Sequence, residues 1–150
     1  MNEILDIIFK IVLTIILSVL VGTEREIRQK GVDLRTYILV GLGSMLIVLT
    51  SIYLFNIYNS QTPVDPTRMI AGITTGIGFL CAGTIMQAQS HVRGLTTAAT
   101  LWIVSCIGIS VGAGHYNAAI AVSVVTFLVL IGMRSIEIKL SERFNKKDLS

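Results

Sequence analysis

The sequence predicts an all-α integral membrane protein, a bundle of about five transmembrane helices, and three observations carry that prediction. Hydrophobic side chains make up 53% of the 150 residues and charged ones only 14%, against about 25% charged in a soluble domain. Mean hydropathy is +0.76. The charges are also segregated: none falls between Thr36 and Asn59, none between Arg68 and Arg93, and none from Gly94 to Met133. A bilayer offers no water to the backbone, so apolar runs of this length must close their own hydrogen bonds as helices. A soluble enzyme is excluded, because the chain cannot supply a polar surface. Cys81 and Cys106 lie inside apolar segments, which excludes a secreted disulfide framework. The net charge of +3 and pI of about 9.1 come from basic residues beside the spans, a topology signal and not a nucleic-acid footprint.

The first span runs from Leu5 to Gly22, with Asp6 and Lys10 near its start. At i, i+4 these two could serve as a proton relay, but the favoured reading is that they neutralise one another while Lys10 snorkels outward. The second runs from about Thr36 to Tyr58, and the third, short and Gly-rich, from Met69 to Met86. The apolar stretch from Gly94 to Met133 is about twice one span. Its break belongs at Gly112-Ala113-Gly114-His115-Tyr116-Asn117, where Gly and Asn permit a tight turn. That leaves a fourth span over about Thr96–Val111 and a fifth over about Asn117–Met133. Residues 1–133 thus form one transmembrane domain. The tail, 134–150, places Ile136, Leu140 and Phe144 at i, i+4, i+8 among charges, an amphipathic continuation of the fifth helix at the interface with no separate C-terminal domain. The start lacks a basic n-region and a small-residue cleavage site, so the first helix is expected to stay.

Five spans put the termini on opposite sides. One side holds Arg25, Arg28, Lys30, Arg35, Arg93 and the tail residues Arg134, Lys139, Arg143, Lys146 and Lys147, whereas the other holds Lys10 and Arg68. Positive residues stay inside, so the N-terminus is expected outside and the C-terminus in the cytoplasm.

Four segments carry candidate chemistry. In Gly22-Thr23-Glu24-Arg25-Glu26-Ile27-Arg28-Gln29-Lys30, Glu24–Arg28 and Glu26–Lys30 are favourable i, i+4 pairs of an interfacial helix. Glu24 and Arg25 lie closer to the bilayer and are expected to face the bundle and meet Arg35 or Arg93. Asp65-Pro66-Thr67-Arg68 reads as an N-cap followed by Pro at N1; equally, it places a carboxylate at the outer mouth with Arg68 as its tether. One carboxylate holds Mg²⁺ only together with the ion's waters, so Asp65 is a metal candidate of that kind. On the third helix, Gly72 and Gly76 form a GxxxG step, with Gly78 and Gly83 following. Small residues let helices approach closely in lipid, which predicts a central, tightly packed helix. In His91-Val92-Arg93-Gly94-Leu95-Thr96-Thr97, Gly94 permits a turn, Thr96 or Thr97 can cap the fourth helix, and Arg93 is expected to pair with Glu24 or Asp33. Trp102 is expected to pack between helices, and Cys81 and Cys106 to be small packing residues. Cys81, His91, Cys106 and His115 are too scattered for zinc. Gly76-Ile77-Gly78-Phe79-Leu80-Cys81 lacks the last Gly of a dinucleotide fingerprint and lies inside a span.

Taken in order, Gly22-x-Glu24-Arg25-Glu26, Leu34-Arg35-Thr36, Asp65-Pro66-x-Arg68, Gly76-Ile77-Gly78-Phe79-Leu80-x-Ala82-Gly83 and Val92-Arg93-Gly94-Leu95-x-Thr97-Ala98-Ala99-Thr100-Leu101-Trp102 resemble the MgtC/SapB family over about residues 15 to 115. The resemblance implies a multi-pass protein of the bacterial inner membrane. It also implies links to magnesium homeostasis, to survival inside host cells (virulence) and to restraint of the ATP synthase. By position, Glu24, Arg25, Arg35, Asp65, Arg68 and Arg93 match the family's charged motif residues, and Thr97, Thr100 and Trp102 match its following segment. Relatives often have Gly where this chain has Cys81, and many carry a cytosolic domain after the last helix.

The expected function is therefore that of a non-enzymatic regulator of another membrane complex. The resemblance suggests ATP synthase or membrane-potential control. Its partners are the lipid bilayer, a second copy in a homo-oligomer and another membrane protein, with no nucleic acid and no cofactor beyond Mg²⁺. The alternative is a transporter or channel for Mg²⁺ or another cation, in which Asp65 outside and Glu24 inside bracket a path lined by Thr74, Thr75 and Thr84. No carboxylate sits at the midplane, where transporter sites lie. No nucleophile–base pair suggests an intramembrane enzyme.

Overall fold

A computed structural model describes residues 3–27, 32–58, 65, 67–88 and 91–147. Five helices follow in order: α1 (Glu3–Ile27), α2 (Leu34–Tyr58), α3 (Thr67–Gly83), α4 (Leu95–Gly112) and α5 (Tyr116–Lys147). A two-stranded antiparallel hairpin, β1 (Met86–Ala88) with β2 (His91–Arg93), joins α3 to α4 where a loop was expected. Four helices are long and apolar enough to cross a membrane; α3, at 17 residues, is shorter. Arg28, Lys30 and Pro66 lie outside the described residues, as do the side chains of the tail stripe, although α5 does continue from the apolar run into the tail.

Glycine marks both ends of α4. Gly94 holds φ 90 at its N-cap position, and a Cβ there would collide with the Thr84 carbonyl oxygen. The cap therefore comes from backbone geometry; no side chain caps the helix, contrary to the expectation for Thr96 or Thr97. At the other end Gly114, φ 83, accepts the left-handed position of a Schellman stop. Its N–H donates to the Val111 carbonyl at 3.0 Å and that of His115 to Ser110 at 2.8 Å. The turn falls inside the expected break and sends α5 back antiparallel to α4. This brings Tyr116 onto the start of α1, where its ring meets Phe9 edge-on at 5.3 Å and its hydroxyl approaches Asp6 at 3.4 Å.

The central helix is α4, which packs against every other helix. The expectation that α3 holds this place is corrected: a Cβ on Gly72, Gly76, Gly78 or Gly83 would meet nothing within 4 Å. Only Ile73, Ile77 and Cys81, one stripe of α3, are buried, and Phe79 on the far side is 83% exposed. The glycines that admit close approach are elsewhere. Gly108 of α4 lies against the Gly41 carbonyl of α2, and a Cβ on Gly112 would lie 2.9 Å from the Met45 oxygen. Gly41 in turn backs onto Ser18 and Thr14 of α1, and Gly22 faces Leu34 and Tyr37. Trp102, expected between helices, is 43% exposed on the outer side of α4, because its neighbours Leu101 and Val104 hold the inward positions.

The chain is apolar outside and mixes apolar with small polar side chains inside. Leu39, Leu46, Val125 and Leu128 are exposed, whereas Thr14, Ser18, Ser44, Thr97, Ser105 and Ser123 are buried. Lipid provides no hydrophobic drive between helices, so packing and interhelical hydrogen bonds hold them, such as the 2.8 Å contact of Ser44 with Ser105. Adding volume at the α2–α4 contact is expected to cost about 1–3 kcal/mol or more by overpacking. Gly108→Val should therefore lower the unfolding midpoint in a detergent titration, while Gly76→Ala should leave it unchanged. A larger loss from Gly76→Ala would reverse the order of packing described here.

Candidate functional site

The last turn of α1 carries two ionisable residues into the protein interior. Glu24 is 6% and Arg25 7% exposed, as expected for charges that must face the bundle. Gly22, one turn earlier, makes room: Leu34 Cδ1 would lie 2.7 Å and the Tyr37 ring 3.1 Å from a Cβ there. Tyr37 is itself fully buried. The Arg25 Nη2 donates to the Thr97 hydroxyl of α4 at 2.6 Å. Next to this junction, the Glu26 carboxylate accepts the Leu34 N–H at 2.9 Å, capping the first turn of α2 with a negative charge where the helix dipole favours one. Cys81 of α3 donates to the Ala98 carbonyl at 3.1 Å. Four helices therefore converge on one buried charged junction.

The Tyr37 hydroxyl lies beside the Arg25 guanidinium, although neither it nor the Arg25 Nε makes a hydrogen bond of good geometry among the described residues. Both lie in a water-poor interior where an unused polar group is costly. The hydroxyl group is within electrostatic reach of both Arg25 and Glu24.

The six charged residues singled out by the sequence do not gather at one site. Arg35 and Arg93 are exposed. Arg93 forms no ion pair with Glu24 or Asp33, and neither arginine meets Arg25, whose contact is a neutral threonine. Asp65 and Arg68 lie exposed at the opposite end of α3, about 26 Å away for a helix of this length, and form no ion pair among the described residues. Asp65 acts as an N-cap: its Oδ1 accepts the Thr67 hydroxyl at 2.7 Å and the Thr67 N–H at 2.9 Å. Those two bonds, in that order, and more weakly the Arg68 charge hold its carboxyl below the ordinary aspartate value. A depressed pKa means stability that is present above the unfolded value and lost as pH falls through the folded one.

The path drawn through Thr74, Thr75 and Thr84 is not supported. Their hydroxyls donate to the carbonyls of Ile70, Ala71 and Cys81, and the first two are exposed. Asp6 and Lys10 form the expected ion pair at 2.9 Å. The sequence reading missed Tyr37, whose ring gave no polar signal in an apolar run, and the hydroxyls of Thr14 and Ser18. The i, i+4 spacing that continues from Asp6 and Lys10 through both would have revealed them.

With this geometry in place, the comparisons are decisive on kinship. The MgtC family profile matches residues 11–139. The chain belongs to the MgtC family. It is 41% identical over 127 residues to YhiD of Escherichia coli (strain K12), named as a candidate magnesium transporter, covering 83% of this chain and 59% of that protein. It is 36% identical over 143 residues to protein MgtC of Salmonella typhimurium (strain LT2), covering 95% and 57%. It is 35% identical over 120 residues to protein SapB of Bacillus subtilis (strain 168), covering 77% and 51%. The chain thus spans between half and three-fifths of the length of these relatives. No solved structure matches it significantly. Family membership and the four apolar helices make it a multi-pass protein of the bacterial inner membrane.

Thr97→Val, which keeps shape but removes the acceptor of a charged donor, is expected to destabilise the fold by about 1–3 kcal/mol, and Thr97→Ser to restore most of it, read from unfolding midpoints in detergent. At the other end, an NMR titration should place the Asp65 carboxyl below an ordinary aspartate, and Thr67→Ala should move it back up.

Proposed function

We propose that this MgtC-family chain is a non-enzymatic regulator that works by packing its helices against another membrane protein complex, within the magnesium homeostasis of the bacterial cell. The observation that carries this reading is an open apolar groove between α2 and α3, of about 590 Å³. Gly43, Gly72 and Gly76 line it beside Leu39, Ile47 and Leu80, and a Cβ on any of the three glycines would meet nothing. Small residues on a lipid-facing surface are what a second transmembrane helix packs against. The name of the YhiD relative supports the link to magnesium, and the family resemblance suggests the ATP synthase or the control of membrane potential as the target.

Transport of Mg²⁺ is the second reading. What favours it is Asp65, an exposed carboxylate whose lowered pKa keeps it ionised at the end of α3 away from the charged junction.

Photo-crosslinking from Leu80 in native membranes separates the two. The regulator reading expects capture of one membrane partner, lost when Gly72 and Gly76 are both changed to Leu at unchanged protein level and folding. Absence of any partner, together with Mg²⁺ uptake by purified protein in vesicles that Asp65→Asn abolishes, would overturn it.

A further inference from the structure

One stripe of α1 carries polar groups over much of its length, with Val21 and Gly22 standing between Ser18 and the charged last turn. Asp6, Lys10, Thr14 and Ser18 follow at i, i+4 spacing, and Glu24 and Arg25 close the series in the last turn. From Asp6 to Glu24 the rise is about 27 Å, close to the hydrocarbon thickness of about 30 Å. The stripe is turned inward: Thr14 and Ser18 are fully buried, Arg25 is 7% exposed, and Lys10 is 12% exposed. In lipid, such residues face the bundle interior and mark ion or proton paths.

The two central hydroxyls differ from the others in the bundle. Elsewhere the rule is back-bonding to the carbonyl one turn earlier: Thr23 to Val19, Thr50 to Leu46, Ser110 to Cys106, Ser123 to Ala119. Thr14 and Ser18 make no such bond and no other among the described residues, although both are wholly buried. They face Gly41 of α2, where any side chain would strike them. The Ser44–Ser105 hydrogen bond of α2 and α4 lies within one turn of Gly41. The Tyr37 hydroxyl, beside the Arg25 guanidinium, continues the series toward Glu24.

We propose that this seam carries protons across the membrane. A proton enters on the Asp6 carboxylate, beside Lys10 and the Tyr116 hydroxyl. Each hydroxyl accepts it on a lone pair while releasing its own hydrogen onward, and Glu24 gives it up at the far end, so every group returns to its starting state. Residues one turn apart stand about 5–6 Å apart at their Cβ atoms, a gap one water bridges; from Ser18 to Glu24 the rise is about 9 Å, and there the relay runs through the Tyr37 hydroxyl. The entry is charge-balanced by the Asp6–Lys10 ion pair, and the last turn carries one charge of each sign, Glu24 and Arg25, so the seam does not present a field of one sign. Mg²⁺ is excluded: it keeps several waters, and the contact of Thr14 and Ser18 with Gly41 is too close to pass them. Proton passage needs no partner complex, so it stands or falls separately from the regulator reading.

The test uses the purified full chain in vesicles holding a pH-sensitive dye, with a potassium diffusion potential as the driving force. Intact protein should acidify the lumen faster than empty vesicles do. The shape-conserving double variant Thr14→Val with Ser18→Ala should fall to the empty-vesicle rate while keeping its helical circular dichroism and its elution as one species. Thr14→Ser, which keeps the hydroxyl, should conduct. A vesicle-trapped Mg²⁺ indicator should stay silent for all of them. Folded intact protein no faster than empty vesicles would overturn the proposal, and so would a double variant that conducts like the original.

Discussion

The contact of α2 with α4 at Gly41 and Gly108 is the constraint on which the rest of the structure depends. Lipid tails are as apolar as leucine, so nothing drives these helices together except fit and polar bonds between them. Backbone against backbone gives the fit, and Gly108 lies on the Gly41 carbonyl with no room for a side chain on either helix. The same approach sets Ser44 and Ser105 at 2.8 Å and turns the other side of Gly41 onto Thr14 and Ser18 of α1. Three helices are thereby locked along one polar seam.

From that lock follows the placement of the charged junction. With α1 held against α2, its last turn cannot rotate into lipid, and Glu24 and Arg25 remain inside. The start of α4 is held there by Gly94 and the hairpin, which sets Thr97 within reach of Arg25. The third helix buries one narrow stripe. It meets α4 along Ile73, Ile77 and Cys81 and leaves its glycines facing outward, so the groove beside it is available without any cost to the core. Close helix packing and the open groove thus fall to different glycines of one chain.

The spans were legible because a charge-free run in a membrane protein has one structural solution. The break before Tyr116 was legible too, since Gly114 occupies a position that requires a left-handed backbone. The packing order was not. Gly72-x-x-x-Gly76 and Gly108-x-x-x-Gly112 are the same pattern, and in a helix apolar on all sides no periodicity tells lipid from neighbour. The inward turn of Glu24 and Arg25 was readable from the price of a charge in lipid. The partner of Arg25 was not, because a buried cation calls for an opposite charge and the fold supplies a hydroxyl. Asp65 looked equally like a cap and a metal ligand, and its bonds to Thr67 are those of a cap.

The central claim is that α1, α2 and α4 close around a polar seam with the Gly41–Gly108 approach at its middle. Cysteines in place of Ser44 and Ser105, with Cys81 and Cys106 replaced by alanine, test it most directly in native membranes. Side-chain oxygens at 2.8 Å put these positions within disulfide reach, so mild oxidation should form an intramolecular crosslink nearly to completion, seen as a mobility shift that reductant reverses. No crosslink at these positions, with efficient crosslinking between α3 and α4 through their glycine faces instead, would contradict the arrangement.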